Sequence, residues 1–347
     1  MNMRFSVYSY AMRVGVAGAS GYAGAELLRI LHAHPVFEIG PVSAQRHEGE
    51  LVADHTPSLG AAFAGIRYEP TTPAAFSQCD AVFLALPHGA SQGIAPELVE
   101  RGVTVFDLGA DFRLAPETYE EWYGVVHEAP SLCESAVYGL VERNRAGLAG
   151  AKLVAVPGCY PTATSLALGP FVDAGVLDKT GIIVDAASGV SGAGRAAKDH
   201  LQFSETDESF SAYGLLDHRH TAEMEMVLGA TVLFTPHLVP MVRGMLVTAY
   251  AKPTSPLTTE TALAILHAAY DAEPFVHVVA EPPTTKATTG TNNALVTARV
   301  DQRTGHLLVL SAIDNLGKGA SGQAVQAANV VFGLDETLGL STIGVYP

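Results

Sequence analysis

The residue best suited to covalent chemistry is Cys159, in the segment 156–162, which reads VPGCYPT. An apolar run ends before it, a Pro-Gly pair turns the chain, and a helical pattern begins near Pro161. This places Cys159 at a helix N-terminus, where the helix dipole and open backbone N–H groups lower the pKa of a thiol. We therefore expect Cys159 to be a nucleophile, and Cys79 and Cys133 to be structural.

A nucleophilic thiol needs a partner that accepts and returns protons, and residues 217–223 (DHRHTAE) offer His218 and His220. Histidine is the side chain that most often does this near neutral pH. The same HxH spacing also suits a metal or a solvated helix start, but no third ligand is evident, so we expect no metal. Both histidines are candidates for the catalytic base.

Glycines recur at every third position of residues 18–24 (GASGYAG), between an apolar strand pattern and a helical pattern. Glycine lets the backbone turn tightly and approach a pyrophosphate, which then sits on the helix N-terminus. The GxxGxxG spacing alone also fits a structural turn, but its place at the start of a strand–helix–strand pattern favours a dinucleotide. The predicted cofactor-binding residues of this turn are Gly18, Ser20, Gly21, Tyr22, Ala23 and Gly24.

The residues after the second predicted strand indicate which dinucleotide is bound. An acidic residue there would bind the ribose hydroxyl of NAD, whereas this chain has Ser43 and Arg46, which suit the 2′-phosphate of NADP. Pro87 and His88 follow another strand at the edge where such folds bind ligands. His88 is equally consistent with an ordinary turn residue.

Three further segments combine arginine with glycine or hydroxyl groups, and arginine binds phosphate and carboxylate through paired hydrogen bonds. They are residues 107–113 (DLGADFR), 188–195 (SGVSGAGR) and 236–244 (PHLVPMVRG). Each arginine alone is as consistent with a surface ion pair, but together they indicate a substrate with more than one negative group. The predicted substrate-binding residues are Arg113, Ser191, Gly192, Arg195, His218 and Arg243.

The element pattern changes near residue 155. Short buried strands alternate with helices before it, which predicts a parallel sheet with crossover helices. Longer, alternating strands follow it, which predicts a mixed or antiparallel sheet. Residues 202–217 are polar and aperiodic, and we expect a loop there.

Composition excludes several function classes. The net charge of −15 over 347 residues gives no electrostatic footprint for nucleic acid or anionic lipid. No apolar run reaches the length of a membrane span, and residues 1–11 do not read as a signal peptide. Three cysteines without CxxC spacing favour a reducing compartment, so we expect a cytoplasmic protein.

Together these motifs resemble the N-acetyl-γ-glutamyl-phosphate reductase family from about residue 12 to the C-terminus. The segments that carry the resemblance are GASGYAGAEL (18–27), LALPHG (84–89), DLGADFRL (107–114), residues 154–170 around Cys159, SGVSGAGRAA (188–197), HRHT (218–221) and DNLGKGASGQAVQ (314–326). One departure is Ala222, where the family usually has proline; we expect it to alter the helix start only slightly.

The resemblance implies an α/β fold: an N-terminal Rossmann-type dinucleotide-binding domain and an α+β catalytic domain with a mixed sheet, similar to aspartate-semialdehyde and glyceraldehyde-3-phosphate dehydrogenases. We expect residues 1–158 with 315–347 to form the NADP-binding domain, and 159–314 the catalytic and oligomerisation domain of a homodimer or homotetramer. The last helix would return to the cofactor domain. Ser188, Gly192 and Asn315 would also contact the cofactor. Between the two histidines, the resemblance favours His220 as the catalytic base, with His218 as the second candidate.

The implied reaction is NADPH-dependent reduction of an acyl phosphate, N-acetyl-glutamyl 5-phosphate, to the semialdehyde through a Cys159 thioester, with release of phosphate, in arginine biosynthesis. Alternatives are aspartate-semialdehyde dehydrogenase and a lysine-pathway reductase of carrier-bound aminoadipyl phosphate, whose acidic carrier a chain at −15 would repel. A different class is an NADP-binding sensor without turnover. The joint presence of Cys159, His220 and the three arginine-containing segments argues against a sensor.

Overall fold

The structure, a computed structural model, describes residues 11–345, so the expectation for the N-terminal leader lies almost wholly outside it. The described chain forms two compact units. The first holds the described residues up to Pro116, Val126–Val156 and Ser321–Leu340; the second holds Glu117–Val125, Pro157–Ala320 and the described residues from Ser341 onward.

The predicted domain limits near residues 158 and 315 remain predictions. The compact units differ from them by including residues 117–125, 157–158, 315–320 and 341–345 in the second unit.

The first unit is built on a six-stranded, wholly parallel sheet of order β2-β1-β3-β4-β6-β5. β3 and β4 are buried along their whole length, as expected of strands covered on both faces. The predicted parallel sheet is therefore confirmed. Its strands are β1 (Met12–Ala17), β2 (Phe37–Ser43), β3 (Ala81–Leu84), β4 (Thr104–Asp107), β5 (Val137–Tyr138) and β6 (Leu153–Ala155).

Helices of the first unit are mostly short. Residues 91–100 form two helical pieces, because Pro96 has no N–H to continue a helix and is tolerated only in a first turn. The helices are α1 (Tyr22–His32), α2 (Val52–His55), α3 (Ala95–Glu100), α4 (Pro116–Tyr123, which crosses into the second unit), α5 (Pro130–Cys133), α6 (Val141–Leu148) and, at the far end of the chain, α11 (Gly322–Val331).

The second unit contains a seven-stranded mixed sheet of order β11-β12-β13-β10-β7-β9-β8. Only the pairs β7–β9 and β11–β12 are parallel. The predicted mixed character is confirmed. Its strands are β7 (Ile182–Gly189), β8 (Ser211–Ala212), β9 (Val232–Val239), β10 (Met245–Ala251), β11 (Val276–Val278), β12 (Ala294–Asp301) and β13 (His306–Ile313).

One face of this sheet is covered by α7 (Cys159–Asp173), which packs on β10 and β13 and is buried from Tyr160 to Val172. The other helices of the unit are α8 (Phe203–Thr206), α9 (His220–Leu228) and α10 (Thr259–Tyr270). The predicted loop 202–217 also holds α8 and β8, so that prediction was only partly right. In the described part of the chain, no helix combines the length and apolar character needed to span a membrane.

Candidate active site

Cys159 is the first residue of α7, two residues earlier than the helix start predicted from Pro161. Pro161 is tolerated because N–H groups in the first turn have no intrahelical partner. The N-cap, Gly158, is extended, no side chain caps the helix, and Cys159 is half-buried. This is the arrangement that favours a thiolate.

A buried carboxylate fixes the turn that carries the cysteine. The backbone N–H of Gly158 donates to Glu223 Oε1 at 2.8 Å, and Glu223 is only 1% exposed. Glu223 lies on α9, one turn after His220. Sequence reasoning missed it, although spacing of three residues on a helix places two side chains on one face.

The thiol is approached closely by a glycine of the segment after β13. A Cβ atom at position 319 would lie 2.8 Å from Cys159 Cβ, shorter than any normal contact. Gly319 belongs to a π-helical turn, Gly317–Ser321, a rare conformation that often occurs at functional sites. Glycine is required at position 319 because the backbone of this turn lies against Cys159.

His218 precedes α9, and its ring has a defined role as acceptor. Its Nδ1 accepts the backbone N–H of His220 at 3.2 Å, so its remaining proton is on Nε2. Burial, and then the charge of Arg219, lower the pKa of His218 to about 4. His218 is therefore neutral near pH 7 and can donate from Nε2, but it has no free nitrogen to act as a base.

His220 is the first residue of α9, so the HRHT motif does open a helix despite Ala222. The His220 ring lies 5.9 Å from that of Tyr160, the neighbour of Cys159, and 5.0 Å from that of His218. The structure thus brings both histidines to the N-terminal end of α7. Which of them transfers the proton remains a prediction.

Two tyrosines complete the cluster and were not found from the sequence. Tyr213 donates to the hydroxyl of Tyr160 at 3.0 Å, and Tyr160 donates to the carbonyl of His237 at 3.3 Å. Burial raises the pKa of Tyr160 and raises that of Tyr213 to about 12. Both stay neutral, and their hydrogen bonds hold the start of α7 against β9.

The glycine-rich segment 188–195 is tied to the segment after β13. Asn315 Nδ2 donates to Ser191 Oγ at 2.9 Å, and Asn315 Oδ1 accepts the N–H of Gly244 at 2.8 Å. Ser188 is buried, and a Cβ on Gly192 would lie 2.9 Å from its Oγ. Asn315 is therefore the residue that organises this loop, beside any part it has in cofactor binding.

The three predicted anion-binding arginines differ in environment. Arg243 contacts the fully buried Asp314 at 3.3 Å, Arg195 is exposed, and both belong to the second unit. Arg113 belongs to the first unit, is 8% exposed and donates to the Leu108 carbonyl at 2.8 Å. Residues 236–239 are part of β9, so only the end of the segment 236–244 is a turn.

The glycine-rich turn of the first unit has the backbone geometry that a dinucleotide site requires. Gly18 has φ +80°, and a Cβ on Gly18 or Gly24 would collide with the carbonyl oxygens of Ala85 and Gly18 respectively. Gly21 is the N-cap of α1 and no side chain caps this helix. The first-turn N–H groups are thus open to a phosphate, as this kind of site requires.

Of the residues predicted to select the cofactor, Arg46 is exposed in the turn after β2. Ser43 is fully buried and its hydroxyl bonds that of Thr71 at 2.9 Å, which makes it a support for this turn. Pro87 and His88 lie exposed in the turn after β3, while Tyr22 is 41% exposed. These roles remain predictions.

A buried acidic pair at the carboxyl end of β4 went unnoticed in the sequence beside Arg113. Asp111 accepts the N–H groups of Gly89 and Ser91, and Asp107 accepts the hydroxyl of Ser91 at 2.6 Å. Burial, and then the charge of Asp111, raise the pKa of Asp107 to about 7. The pair fixes the turns after β3 and β4.

Comparison with known proteins defines the class. Residues 13–151 match the family model "Semialdehyde dehydrogenase, NAD binding domain", and residues 159–315 match "Semialdehyde dehydrogenase, dimerisation domain". The fold is therefore that of a semialdehyde dehydrogenase, and the prediction of a nicotinamide dinucleotide cofactor is confirmed at this level.

The relatives give the particular family. The chain is 47% identical to N-acetyl-gamma-glutamyl-phosphate reductase of Symbiobacterium thermophilum, covering 97% of this chain and 99% of that protein, and 47% identical to that of Desulforudis audaxviator, covering 97% and 100%. It belongs to the N-acetyl-gamma-glutamyl-phosphate reductase family, which confirms the resemblance in the sequence.

Solved structures agree on the fold. Aspartate semialdehyde dehydrogenase II of Vibrio cholerae matches with TM-score 0.71 and 20% identity over 93% of this chain and 98% of that one. The Candida albicans aspartate semialdehyde dehydrogenase solved with NADP matches with TM-score 0.70 and 18% identity, over 92% and 98%. The predicted architecture is confirmed.

Proposed function

We propose that this chain catalyses NADPH-dependent reduction of N-acetyl-L-glutamyl 5-phosphate to N-acetyl-L-glutamate 5-semialdehyde and phosphate, a step of arginine biosynthesis. The observation that carries the proposal is Cys159 at an open helix N-terminus beside two histidines, in a chain 47% identical to named reductases. Aspartate-semialdehyde dehydrogenase is disfavoured, because the likeness to those enzymes is one of fold alone.

The cysteine performs the first half of the reaction. The Cys159 thiolate attacks the acyl carbon, the carbon–oxygen bond to phosphate breaks, phosphate leaves and a thioester remains on sulfur. Backbone N–H groups of the first turn of α7 are the donors placed to stabilise the oxyanion. Arg113, Arg195 and Arg243 are the proposed ligands of the substrate's phosphate and carboxylate groups.

The two histidines have different proposed roles, proton transfer for His220 and substrate binding for His218. His220 accepts the thiol proton and returns it to the alkoxide oxygen of the thiohemiacetal. The carbon–sulfur bond then breaks and this proton passes to the sulfur, which releases the aldehyde and restores the thiol. His218 donates a hydrogen bond from Nε2 to the substrate, because its Nδ1 is already an acceptor. Glu223 positions Cys159 through Gly158 and touches no reacting atom in this scheme.

The cofactor of the proposal is NADP. The nicotinamide, when bound, supplies the hydride that reduces the thioester. Residues of the turn 18–24 would hold the pyrophosphate, and Arg46 would bind the 2′-phosphate. Pro87, His88, Ser188, Gly192 and Asn315 remain the other proposed cofactor ligands.

We also propose a homodimer or homotetramer. The face of the second sheet opposite α7 exposes Ile183, Leu233 and Tyr250, which are 40%, 51% and 38% exposed. Such a row of apolar side chains on a strand face suits a second copy of the chain, and the matched model is named a dimerisation domain. None of the three cysteines, all within the described chain, forms a disulfide, which fits the proposed cytoplasmic location.

The test is phosphate-dependent NADP reduction with N-acetyl-glutamate semialdehyde, compared with aspartate semialdehyde and a carrier-bound aminoadipyl substrate. We expect turnover with the first and a Cys159→Ser variant that still binds NADP but has lost nearly all activity. Turnover of the variant within about tenfold of wild type, roughly 1.4 kcal/mol of barrier, would exclude the covalent mechanism. Binding of NADP with no turnover of any substrate would identify a sensor.

A further inference from the structure

Outside the site described above, three potential metal ligands converge on the surface of the first unit. His47 Nδ1 lies 3.3 Å from Glu50 Oε2, and His55 Nε2 contacts the same oxygen. One donor atom from each of the three residues lies within 4.8 Å of the others. The two imidazole rings pack together with centroids 3.9 Å apart.

The backbone that presents these ligands is held by hydrogen bonds rather than left as a free loop. Gly49 N–H donates to the carbonyl of Tyr68 at 2.9 Å, and Tyr68 N–H donates to that of Glu50 at 3.0 Å. Val52 N–H donates to the Ile66 carbonyl at 3.0 Å. The ligands therefore start from a paired strand-like segment, which lowers the entropy lost when an ion is bound.

A buried side chain supports both histidines. The Tyr68 ring is 2% exposed and lies 6.4 Å from the His47 ring and 5.8 Å from the His55 ring. It forms the inner wall of the cluster, while the outer side is open because Glu50 is exposed. An ion can thus reach the ligands from solvent without any rearrangement of the core.

The chemistry of the donors selects the type of ion. Two imidazole nitrogens and one carboxylate oxygen suit zinc and similar transition metals, whereas Mg²⁺ and Ca²⁺ prefer oxygen ligands. A tetrahedral zinc ion with ligands at about 2.0–2.1 Å places donor atoms about 3.3 Å apart. The His47–Glu50 spacing already has this value.

We propose that His47, Glu50 and His55 form a binding site for one zinc-like divalent cation, with water completing the coordination. The ion binds between the two imidazoles and the carboxylate, and it cross-links the segment 45–55. This site is separate from Cys159, and its existence does not depend on the proposed reaction.

The test is a titration of the metal-free full-length protein with Zn²⁺, followed by calorimetry, and with Co²⁺, followed by its visible absorption. Because a thiolate also binds these ions, both titrations are repeated on Cys159→Ser. We expect one saturable site in Cys159→Ser with the Co²⁺ spectrum of nitrogen and oxygen ligands. His47→Gln, His55→Gln and Glu50→Gln, each made in that background, should each weaken binding at least about tenfold, or roughly 1.4 kcal/mol.

The matched control is His306→Gln, which removes an exposed histidine at the start of β13 in the second unit and should leave binding unchanged. Thermal unfolding of each metal-free variant shows whether it is folded. Absence of saturable binding in Cys159→Ser, or binding that none of the three substitutions weakens, overturns the site.

Discussion

At the scale of single residues, the two histidines of HRHT show how neighbours acquire different chemistry. The nitrogen of His218 that could accept a proton is occupied by the N–H of His220, and burial lowers the pKa of His218 to about 4. Its ring is a fixed neutral donor. This environment favours our proposal that His220 has the acid–base role.

We expect His220→Asn to lower kcat by roughly 10²–10⁴ fold, the usual contribution of a positioned acid–base group, and to remove the histidine limb of the pH–rate profile. His218→Asn should mainly raise KM and keep that limb, because a ring with a pKa of about 4 does not titrate in the working range. If His218→Asn removes the limb and His220→Asn retains it, the two roles must be exchanged.

Arg46 offers a second test at this scale. We expect Arg46→Ala to weaken NADP binding far more than NAD binding, because a guanidinium facing the 2′-phosphate matters only when that phosphate is present. Fluorescence titration with both cofactors measures this. Arg101→Ala, which breaks an exposed pair with Glu97, is the control. Equal losses for both cofactors would show that Arg46 only supports its turn.

At the scale of elements, the start of α7 is packed from two sides, by the α9 carboxylate of Glu223 and by the π-helical turn with Gly319. The helix dipole acts on the thiol only while both contacts hold Cys159 at the first helical position. The position of Cys159 is thus fixed by three elements.

We expect Gly319→Ala to lower kcat more than tenfold with a smaller effect on stability, because the new Cβ, 2.8 Å from Cys159 Cβ, must displace the nucleophile. Steady-state kinetics and thermal unfolding separate the two effects. Gly93→Ala is the matched control, since a Cβ there meets no atom within 4 Å. Equal kcat values for the two variants would refute the argument.

Local patterns predicted the long elements well, because buried strands and amphipathic helices leave a periodic trace. They also predicted helix starts near Cys159 and at HRHT and a turn at the glycines, because each lies where one such pattern ends and another begins. They missed Glu223, Tyr160 and Tyr213, whose importance comes from contacts between distant segments. The segment 45–60 was also missed, since its helical turns are of only three or four residues and have no period.

At the scale of the whole molecule, a buried histidine connects an N-terminal and a C-terminal segment of the first unit. His34 Nδ1 accepts the N–H groups of Val36 and Phe37, and its Nε2 donates to Asn329 Oδ1 at 3.0 Å, on α11. These bonds require the neutral ring. Burial lowers the pKa of His34 below its ordinary 6.5.

The contribution of His34 to the stability of the fold decreases below pH 6.5. Above pH 6.5 the ring is neutral in both states and its contribution to stability is complete; below 6.5 the unfolded chain takes up the proton first, so stability falls until the folded His34 also titrates. One such proton changes the unfolding free energy by up to about 1.4 kcal/mol per pH unit. Denaturant unfolding at several pH values should show a smaller slope below pH 6.5 for His34→Gln, and an unchanged slope would contradict this assignment.

The return of α11 to the first unit also governs the order in which the protein can fold during synthesis. Ala324, Val325 and Ala328 of α11 lie in the same core as Leu27 and Leu31 of α1. The ribosome makes all six parallel strands, and then most of the second unit, before this helix emerges. Until α11 emerges, the N-terminal sheet therefore exposes the apolar surface that this helix later covers. During this interval the nascent chain is most prone to aggregation and most dependent on chaperones.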